Sequence, residues 1–369
     1  MQSPAYRFFV ISALMSLLLF ALLSCEVEDD GSFTPQVIFV DDTPIDSSFT
    51  VEDPCLSPSC GLQTMQVDAG TSELTMEFYA GYDILRPDAK WGKLKSAIIT
   101  IHGNNRNANE YFSWVSNAIL SLNKQNETVV IAPQFKTSDD IGGNSNLIYW
   151  SSNGWKRGFQ SSNITSRKRS SYEVVDSLIR RLADKEHFPF MEQIVITGHS
   201  AGAQFTHLYT AASAQADSFP DIEFDFVVAN SQYFFYPGPE RWDAVSSQFS
   251  VPTSCTNYTN WPYGTDNPTE YLANSTASEI RDRFVNRKLS YLLGSLDIFT
   301  GGTLNTTDCQ ATILGDNRFA RGSLMFDYME TFHAGSDHQK YTVNNVGHDA
   351  AQMYNSTEAK NLFKSILEN

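Results

Sequence analysis

The sequence predicts an α/β fold with a mostly parallel central sheet and helices on both of its faces. Buried strand-like runs alternate with helical stretches along most of the chain, which is typical of parallel sheets. The run Ser96–Ile101 is continuous and rich in β-branched residues, as expected of a central strand. A second run, Gln193–Thr197, leads into Gly198–Gly202 and then into a predicted helix. A length of 369 residues with 41% hydrophobic composition suits one domain with a sizeable core.

The other elements follow in chain order. Two alternating runs, around Thr64–Val67 and Leu74–Tyr79, predict an antiparallel edge of the sheet. Further buried strands are predicted at Thr128–Ala132, Phe224–Ala229, Leu289–Leu293 and Tyr341–Asn344. Helices are predicted around residues 111–118, at Ser170–Ala183, from Gln204 to about Ala214, and at Thr357–Leu367.

Residues 231–287 interrupt this alternation and are rich in aromatic residues and prolines. We predict that they form an aromatic cap insertion between two buried strands, arching over Ser200. Most of the aromatic side chains are expected to form a small core within the cap, and some are expected to face the substrate.

The first 24 residues have the composition of a secretory signal peptide. Arg7 is the only charged residue among them, and Phe8–Leu23 is almost entirely apolar. The sequence Leu22-Leu23-Ser24-Cys25 is similar to the lipidation motif of bacterial lipoproteins, and four acidic residues follow within five positions. We therefore expect export and lipidation of Cys25, which makes the protein a cell-surface or outer-membrane lipoprotein, with plain secretion as the alternative.

Residues 25–61 are polar, acidic and interrupted by prolines, which predicts a flexible tether before a domain at residues 62–369. Formal net charge is −16, and the isoelectric point is near 4.8. So acidic a chain lacks the basic surface that nucleic acids require. Contact with a membrane is expected only through the N-terminal lipid. The sequence does not decide the oligomeric state.

Five cysteines occur, and setting aside Cys25 leaves an even number that an oxidising compartment would pair. Three pairings are possible. We favour Cys55–Cys60, because these two are close in sequence, together with Cys255–Cys309. No cysteine pair has the spacing of a zinc site, and we expect neither metal nor cofactor.

The five residues Gly198-His199-Ser200-Ala201-Gly202 have the pattern of a nucleophile elbow, a sharp turn between a strand and a helix. The two glycines leave room for the strand and helix backbones to approach each other. The turn exposes the Ser200 hydroxyl at the N-terminus of the helix, where free N–H groups carry partial positive charge. Ser200 is therefore the candidate nucleophile.

A serine nucleophile needs a histidine base, and the base needs a carboxylate to orient it. Among seven histidines, His348 follows the last predicted strand and precedes the final helix, where it can reach over the carboxyl edge of the sheet. Asp297 lies just past the end of the preceding strand and is the expected acid. Its rivals are Asp308 and Asp316, whereas Asp349 adjoins the base too closely to fold back onto its ring.

The developing oxyanion requires two backbone N–H donors. Ala201, directly after the nucleophile, is expected to supply one. The second is expected from the loop after the strand Ser96–Ile101, at Asn104 or Asn105, with Asn104 preferred. Gly103 allows this loop to come close.

Four motifs, His102-Gly103, the elbow, Leu-Gly-x-x-Asp at 293–297 and Gly-His-Asp at 347–349, resemble those of the α/β-hydrolase superfamily in order and spacing. The resemblance covers roughly residue 64 to the C-terminus. Within the superfamily the chain is similar to secreted esterases of the polyester-depolymerase and feruloyl-esterase type. The resemblance implies hydrolysis of a small-molecule or polymeric carboxylic ester through an acyl-enzyme.

Two other functions are open at this point. A serine peptidase of the same fold would use the same triad, although neither a β-propeller nor a helical cap is visible in the sequence. A non-catalytic surface protein could use a hydrolase scaffold with the aromatic segment as a carbohydrate or polymer platform. Such proteins tend to lose triad residues, whereas all three are present here.

Overall fold

The computed structural model describes residues 49–67, 74–163 and 168–368. These residues all belong to the second of the two units into which the chain divides, Asp46–Asn369. The predicted signal peptide, residues 1–24, and the predicted lipidation site Cys25 lie outside the described residues. Among the helices within these ranges, none has both the length and the apolar character needed to cross a membrane.

The centre of the structure is an eight-stranded sheet in the order β1-β2-β4-β3-β5-β6-β9-β10, and β7 and β8 form a separate hairpin. The strands are β1 (Leu62–Gln66), β2 (Thr75–Ala80), β3 (Ser96–Ile101), β4 (Thr128–Pro133), β5 (Gln193–His199), β6 (Glu223–Ala229), β7 (Arg241–Asp243), β8 (Gln248–Ser250), β9 (Lys288–Gly294) and β10 (His338–Val343). The six strands from β4 to β10 along the sheet are parallel, and β2 pairs antiparallel with β1 and β4. The predicted mostly parallel sheet with an antiparallel edge is confirmed.

Helices cover both faces of this sheet. The helices are α1 (Pro58–Gly61), α2 (Ala108–Ser121), α3 (Ser171–Leu182), α4 (Ala201–Ala212), α5 (Ala277–Val285), α6 (Cys309–Thr312), α7 (Arg318–Phe332), α8 (Ala350–Asn355) and α9 (Thr357–Leu367). Alternate residues of one strand enter different cores. Ile98 packs with α2, α8 and α9, whereas Ile99 and Ile101 pack into the core that contains α3, α4 and α7. This explains why β3 is apolar at every position.

The register of the parallel strands brings their carboxyl ends to one edge. Ile101 pairs with Gly198, and His199 pairs with Ala229. Ala229 in turn pairs with Leu292, and Gly294 pairs with Val343. The loops after β3, β5, β6, β9 and β10 therefore begin next to one another, although they are far apart in sequence.

Part of the predicted tether needs correction. Residues 49–61 are held to the domain, because the Thr50 N–H donates to Lys90 O at 2.7 Å and the Cys55 N–H donates to Gly81 O at 2.8 Å. The Cys55–Cys60 disulfide closes this segment, and the second disulfide joins Cys255 to Cys309, so both favoured pairings are present. Disulfides are typical of exported proteins.

The segment 231–287 is an insertion between β6 and β9. It is shorter as a cap than predicted, and its aromatic side chains pack differently from the prediction. Residues 277–285 form α5, which belongs to the helical layer of the sheet and not to a cap. In the rest of the segment, the side chains of Phe234, Phe235 and Tyr236 are completely buried, and Trp261 packs in the same core. These rings pack edge-to-face against aromatic side chains of α5 and α7, such as Phe284 and Tyr328.

Backbones approach each other closely where β5 turns into α4. A Cβ atom added to Gly198 would lie 2.3 Å from the Gly202 carbonyl carbon, and one added to Gly202 would lie 2.0 Å from Ile101 O. These neighbours are backbone atoms and cannot rotate away. The two positions around Ser200 therefore exclude any side chain.

We expect Gly202→Ala to lower the free energy of unfolding by about 1–3 kcal/mol or more, because the new methyl group overlaps the backbone of β3. Denaturant titration followed by circular dichroism measures this. Gly81→Ala is the matched control, since its added Cβ would have no contact closer than 3.4 Å. Equal stability of the two variants would contradict the close approach.

Candidate active site

Ser200 stands at the turn between β5 and α4 in a backbone conformation that few serines adopt. Its φ is 59° and its ψ is −115°, and the residue is the N-cap of α4. Such a conformation costs about 1–3 kcal/mol, and the surrounding structure must impose it. The Ser200 N–H donates to Ala229 O at 3.0 Å, which ties the turn to β6. The strained turn is the elbow that the glycine pattern predicts.

His348 joins Ser200 to Asp297. Its Nε2 lies 2.8 Å from the Ser200 hydroxyl oxygen, and its Nδ1 lies 2.7 Å from Asp297 Oδ2. A neutral imidazole with its proton on Nδ1 donates to the carboxylate and accepts the serine proton. The Asp297 side chain is 1% exposed and that of His348 is 28% exposed. The structure thus brings together the three residues that the sequence nominates.

Asp297, the predicted acid, is held just after β9 by hydrogen bonds of its backbone N–H and C=O groups. The Asp297 N–H donates to Gly294 O at 3.0 Å, and Asp297 O accepts from the Phe319 N–H at 3.1 Å. The rival acids lie elsewhere. Asp308 accepts a hydrogen bond from the Asn305 side chain at 2.7 Å, and Asp316 lines a different groove beside α7.

Asp349, the neighbour of the base, caps α8 by accepting from the Gln352 N–H at 2.9 Å. Its carboxylate is therefore used in the helix cap.

Arg318 is the second ionic partner of Asp297 and was not anticipated from the sequence. Its guanidinium lies 3.8 Å from Asp297 Oδ1, and both side chains are buried. Burial lowers the pKa of Arg318, and the facing carboxylate opposes that shift.

The loop after β3 lies on the other side of Ser200. Gly103, Asn104 and Asn105 line the same cleft as Ser200 and His348. Within the described ranges, neither the Ala201 N–H nor the Asn104 N–H donates a hydrogen bond. Both predicted oxyanion donors are therefore free to bind a substrate oxygen.

The buried side chain of His102 holds this loop in place. Its Nδ1 donates to Gly103 O at 2.9 Å, and its Nε2 accepts from the Phe135 N–H at 3.0 Å. Burial lowers the pKa of His102 to about 4, so the ring is neutral at physiological pH. The imidazole serves as a bridge between the loops after β3 and β4.

His199 does not join the group formed by Ser200, His348 and Asp297. It is buried behind His348, with ring centroids 4.6 Å apart. Burial, with the nearby His348 and Arg318, lowers the pKa of His199 well below its usual value. Its two ring nitrogens face Tyr111 Oη and Asn230 Nδ2, each at 3.4 Å.

Asn230 connects three of the loops that carry the site. Its Oδ1 accepts from the Gly294 N–H at 2.8 Å, on the strand that leads to the acid. Its Nδ2 donates to Gly347 O at 3.1 Å, next to the base, and faces His199 Nε2 at 3.4 Å. Asn230 is fully buried and has a φ of 52°, a left-handed conformation that asparagine tolerates. In the sequence, only its position directly after the buried strand β6 indicated that Asn230 lies at the carboxyl edge of the sheet.

The cleft beside Ser200 has a volume of about 440 Å³. Besides the residues above, Asn107, Glu110, Trp114 and Thr303 line it. No residue of 231–287 is among the lining residues in the described ranges, which corrects the expectation that the aromatic insertion faces the substrate here. A larger groove of about 550 Å³ lies at the opposite edge of the sheet and contains no triad residue.

Two solved structures resemble this chain over most of its length. LpqC, a poly(3-hydroxybutyrate) depolymerase from Bordetella parapertussis, is 19% identical, with 79% of this chain and 86% of that chain covered and a TM-score of 0.54. Poly(aspartic acid) hydrolase-1 from Sphingomonas sp. KT-1 is 16% identical, with coverage of 83% and 98% and a TM-score of 0.55. The chain has the α/β-hydrolase fold. No protein-family model and no curated protein sequence matches it.

Within this hydrolase fold, the residues missed by sequence reasoning are Arg318, Asn230 and Lys156. Lys156 belongs to the short 3₁₀ helix Trp155–Arg157, and its Nζ donates to Asn104 Oδ1 at 2.7 Å. All three act on residues that the sequence did identify. Their side chains approach the site from the start of α7, the end of β6 and a short 3₁₀ helix, and no motif in the sequence predicts these positions.

We expect Asn230→Asp to lower kcat about tenfold or more with little change in KM. The carboxylate keeps the acceptor for Gly294 but loses the donor to Gly347, so the loop that carries His348 shifts. Loss of this buried hydrogen bond also costs about 1–3 kcal/mol of stability. Steady-state kinetics with a nitrophenyl ester and denaturant titration measure the two effects. Unchanged kcat in a folded variant would rule out this role for Asn230.

Proposed function

We propose that the protein is a serine hydrolase that cleaves carboxylic esters through an acyl-enzyme. The observation that carries the proposal is the position of His348, within hydrogen-bond distance of both Ser200 and Asp297. A strained serine at a helix N-terminus, with two unbonded N–H groups beside it, supports the same reaction.

The reaction proceeds in two halves. The Ser200 oxygen attacks the ester carbonyl carbon while its proton moves to His348 Nε2, and Asp297 stabilises the resulting imidazolium. The Ala201 and Asn104 N–H groups bind the oxyanion. Collapse breaks the bond to the alcohol, which leaves with the proton from His348. Water then attacks the acyl-enzyme in the same way, and the acid product leaves Ser200 free.

Small-molecule and polymeric esters are both candidate substrates. Both structural neighbours are named for polymers, poly(3-hydroxybutyrate), which is a polyester, and poly(aspartic acid), which is a polyamide; the first supports the inclusion of polyesters among the candidate substrates. The cleft reaches the surface and places amide and carboxylate side chains around Ser200. A first assay therefore uses a short-chain nitrophenyl ester, followed by polyester films.

Ser200→Ala is expected to lower kcat at least about 10³-fold with unchanged folding, since the nucleophile is lost. Asp297→Asn is expected to lower kcat by up to about 10⁴-fold, because the amide favours the wrong tautomer of His348. The controls are Asp308→Asn and Asp316→Asn, which should retain kcat. Full activity of Ser200→Ala would contradict the proposal, and a large loss in either control would displace Asp297 as the acid.

We further propose that the protein is a lipoprotein anchored through Cys25. The motif Leu22-Leu23-Ser24-Cys25 and the acidic residues after it support this. In a bacterial host, wild-type protein is expected in the membrane fraction and Cys25→Ser in the soluble fraction, because a lipid chain supplies the membrane affinity. Fractionation followed by immunoblotting measures this. Membrane retention of Cys25→Ser would contradict lipidation.

A further inference from the structure

Lys156 is a buried cation beside the oxyanion loop. Its ammonium donates to Asn104 Oδ1 at 2.7 Å, and the residue is only 9% exposed. Asn104 is also held from the other side, because Arg106 Nη1 donates to Asn104 O at 2.9 Å. Two cationic side chains thus hold Asn104, which lines the cleft beside Ser200.

The charge of Lys156 is not balanced by an acid. Among the described residues, no carboxylate lies within 4 Å of its Nζ, whereas Arg106 is paired with Asp140 at 2.5 and 3.2 Å. A buried, unpaired ammonium destabilises the folded state. Here the ammonium is met only by neutral groups, the Asn104 amide oxygen at 2.7 Å and the face of the Trp155 ring at 5.7 Å.

The acids on the elements packed around Lys156 are bound to other groups. On α3, Glu173 accepts from the Ser170 N–H, and Asp176 accepts from the hydroxyls of Tyr209 and Tyr271.

Arg157 adjoins Lys156 in the same short helix, and Arg106 faces it from the loop after β3. His102 is neutral and packs at a tilt against the Trp155 ring, with ring centroids 4.8 Å apart. Tyr172 of α3 has a raised pKa and donates to Lys156 O.

On α4, which packs against this short helix, the titratable side chains are turned elsewhere. His207 faces Phe235 O, and Tyr209 donates to Asp176. The acid nearest in the network, Asp140, is already bound to Arg106. Within the described chain, the counter-charge for Lys156 is therefore absent from the protein itself.

We propose that Lys156 is a positioning residue for ester hydrolysis, which holds Asn104 in place and whose positive charge stabilises the oxyanion that forms beside it. The proposal rests on the proposed function of Ser200. The tetrahedral intermediate carries the missing negative charge, so the ammonium is balanced only while the oxyanion exists. A charge that is unpaired in the ground state and paired in the transition state accelerates the reaction.

The same burial gives the reaction an alkaline limit. Desolvation, together with Arg157 and Arg106, lowers the pKa of Lys156 to about 8. Below that pH the ammonium is present, and above it the charge is lost. The wild-type kcat should therefore fall as the pH rises through about 8.

The test compares Lys156→Met and Lys156→Gln with wild type, in kcat, KM and pH profile, on a short-chain nitrophenyl ester. We expect both variants to lose roughly tenfold or more in kcat, less than the 10²–10³-fold typical of a direct oxyanion donor. KM should change little, and the alkaline fall of kcat should disappear. Both variants should be at least as stable as wild type near neutral pH, because an unpaired buried charge is removed.

Lys136→Met is the matched control. Lys136 is a half-buried lysine near this edge of the sheet, and unlike Lys156 it pairs with an acid, Glu77, at 2.9 Å. This variant should lose stability and keep the wild-type kcat and pH profile.

Wild-type kcat and an intact alkaline limb in Lys156→Met would overturn the proposal. So would full activity in Lys156→Gln, which would reduce the role to a neutral hydrogen bond. A wild-type kcat that stays constant well above pH 8 would contradict it without any variant. Activity that survives Ser200→Ala would instead overturn the proposed function.

Discussion

The site depends on the contact between the backbones of β5, α4 and β3 at residues 198–202. Gly202 touches the carbonyl of Ile101, and Gly198 touches Gly202, so that the turn has no room to relax. This contact forces Ser200 into its positive φ and presents the hydroxyl to His348. The strained backbone conformation of Ser200 costs free energy, and the packing of the surrounding core offsets that cost.

The parallel register extends this constraint to the other catalytic groups. Every loop of the site begins at the carboxyl edge of a neighbouring strand, and short hydrogen bonds set the distances between loops. Asn230 joins the end of β6 to Gly294 and Gly347, and His102 joins the loops after β3 and β4. Two buried cations also contact the site: Arg318 lies beside Asp297, and Lys156 donates to Asn104 in the loop after β3.

The sequence predicts the sheet, the elbow and the triad because each depends on local pattern. A buried strand must be apolar, and a residue after it must lie at the carboxyl edge, where the structure brings Ser200 and Asp297 within hydrogen-bond distance of His348. The aromatic segment 231–287 was harder to interpret. Aromatic residues pack a core or contact a ligand equally well, and only the three-dimensional partners on α5 and α7 show that they turn inward. Lys156 and Asn230 act through contacts across the fold, which no spacing in the chain records.

The central claim is that Ser200 is a nucleophile activated by His348. Its most direct test is mass spectrometry of the folded protein after incubation with a fluorophosphonate, followed by peptide mapping. We expect a single phosphonyl adduct on the peptide that contains Ser200. A folded protein that acquires no adduct, or an adduct on another residue, would contradict it.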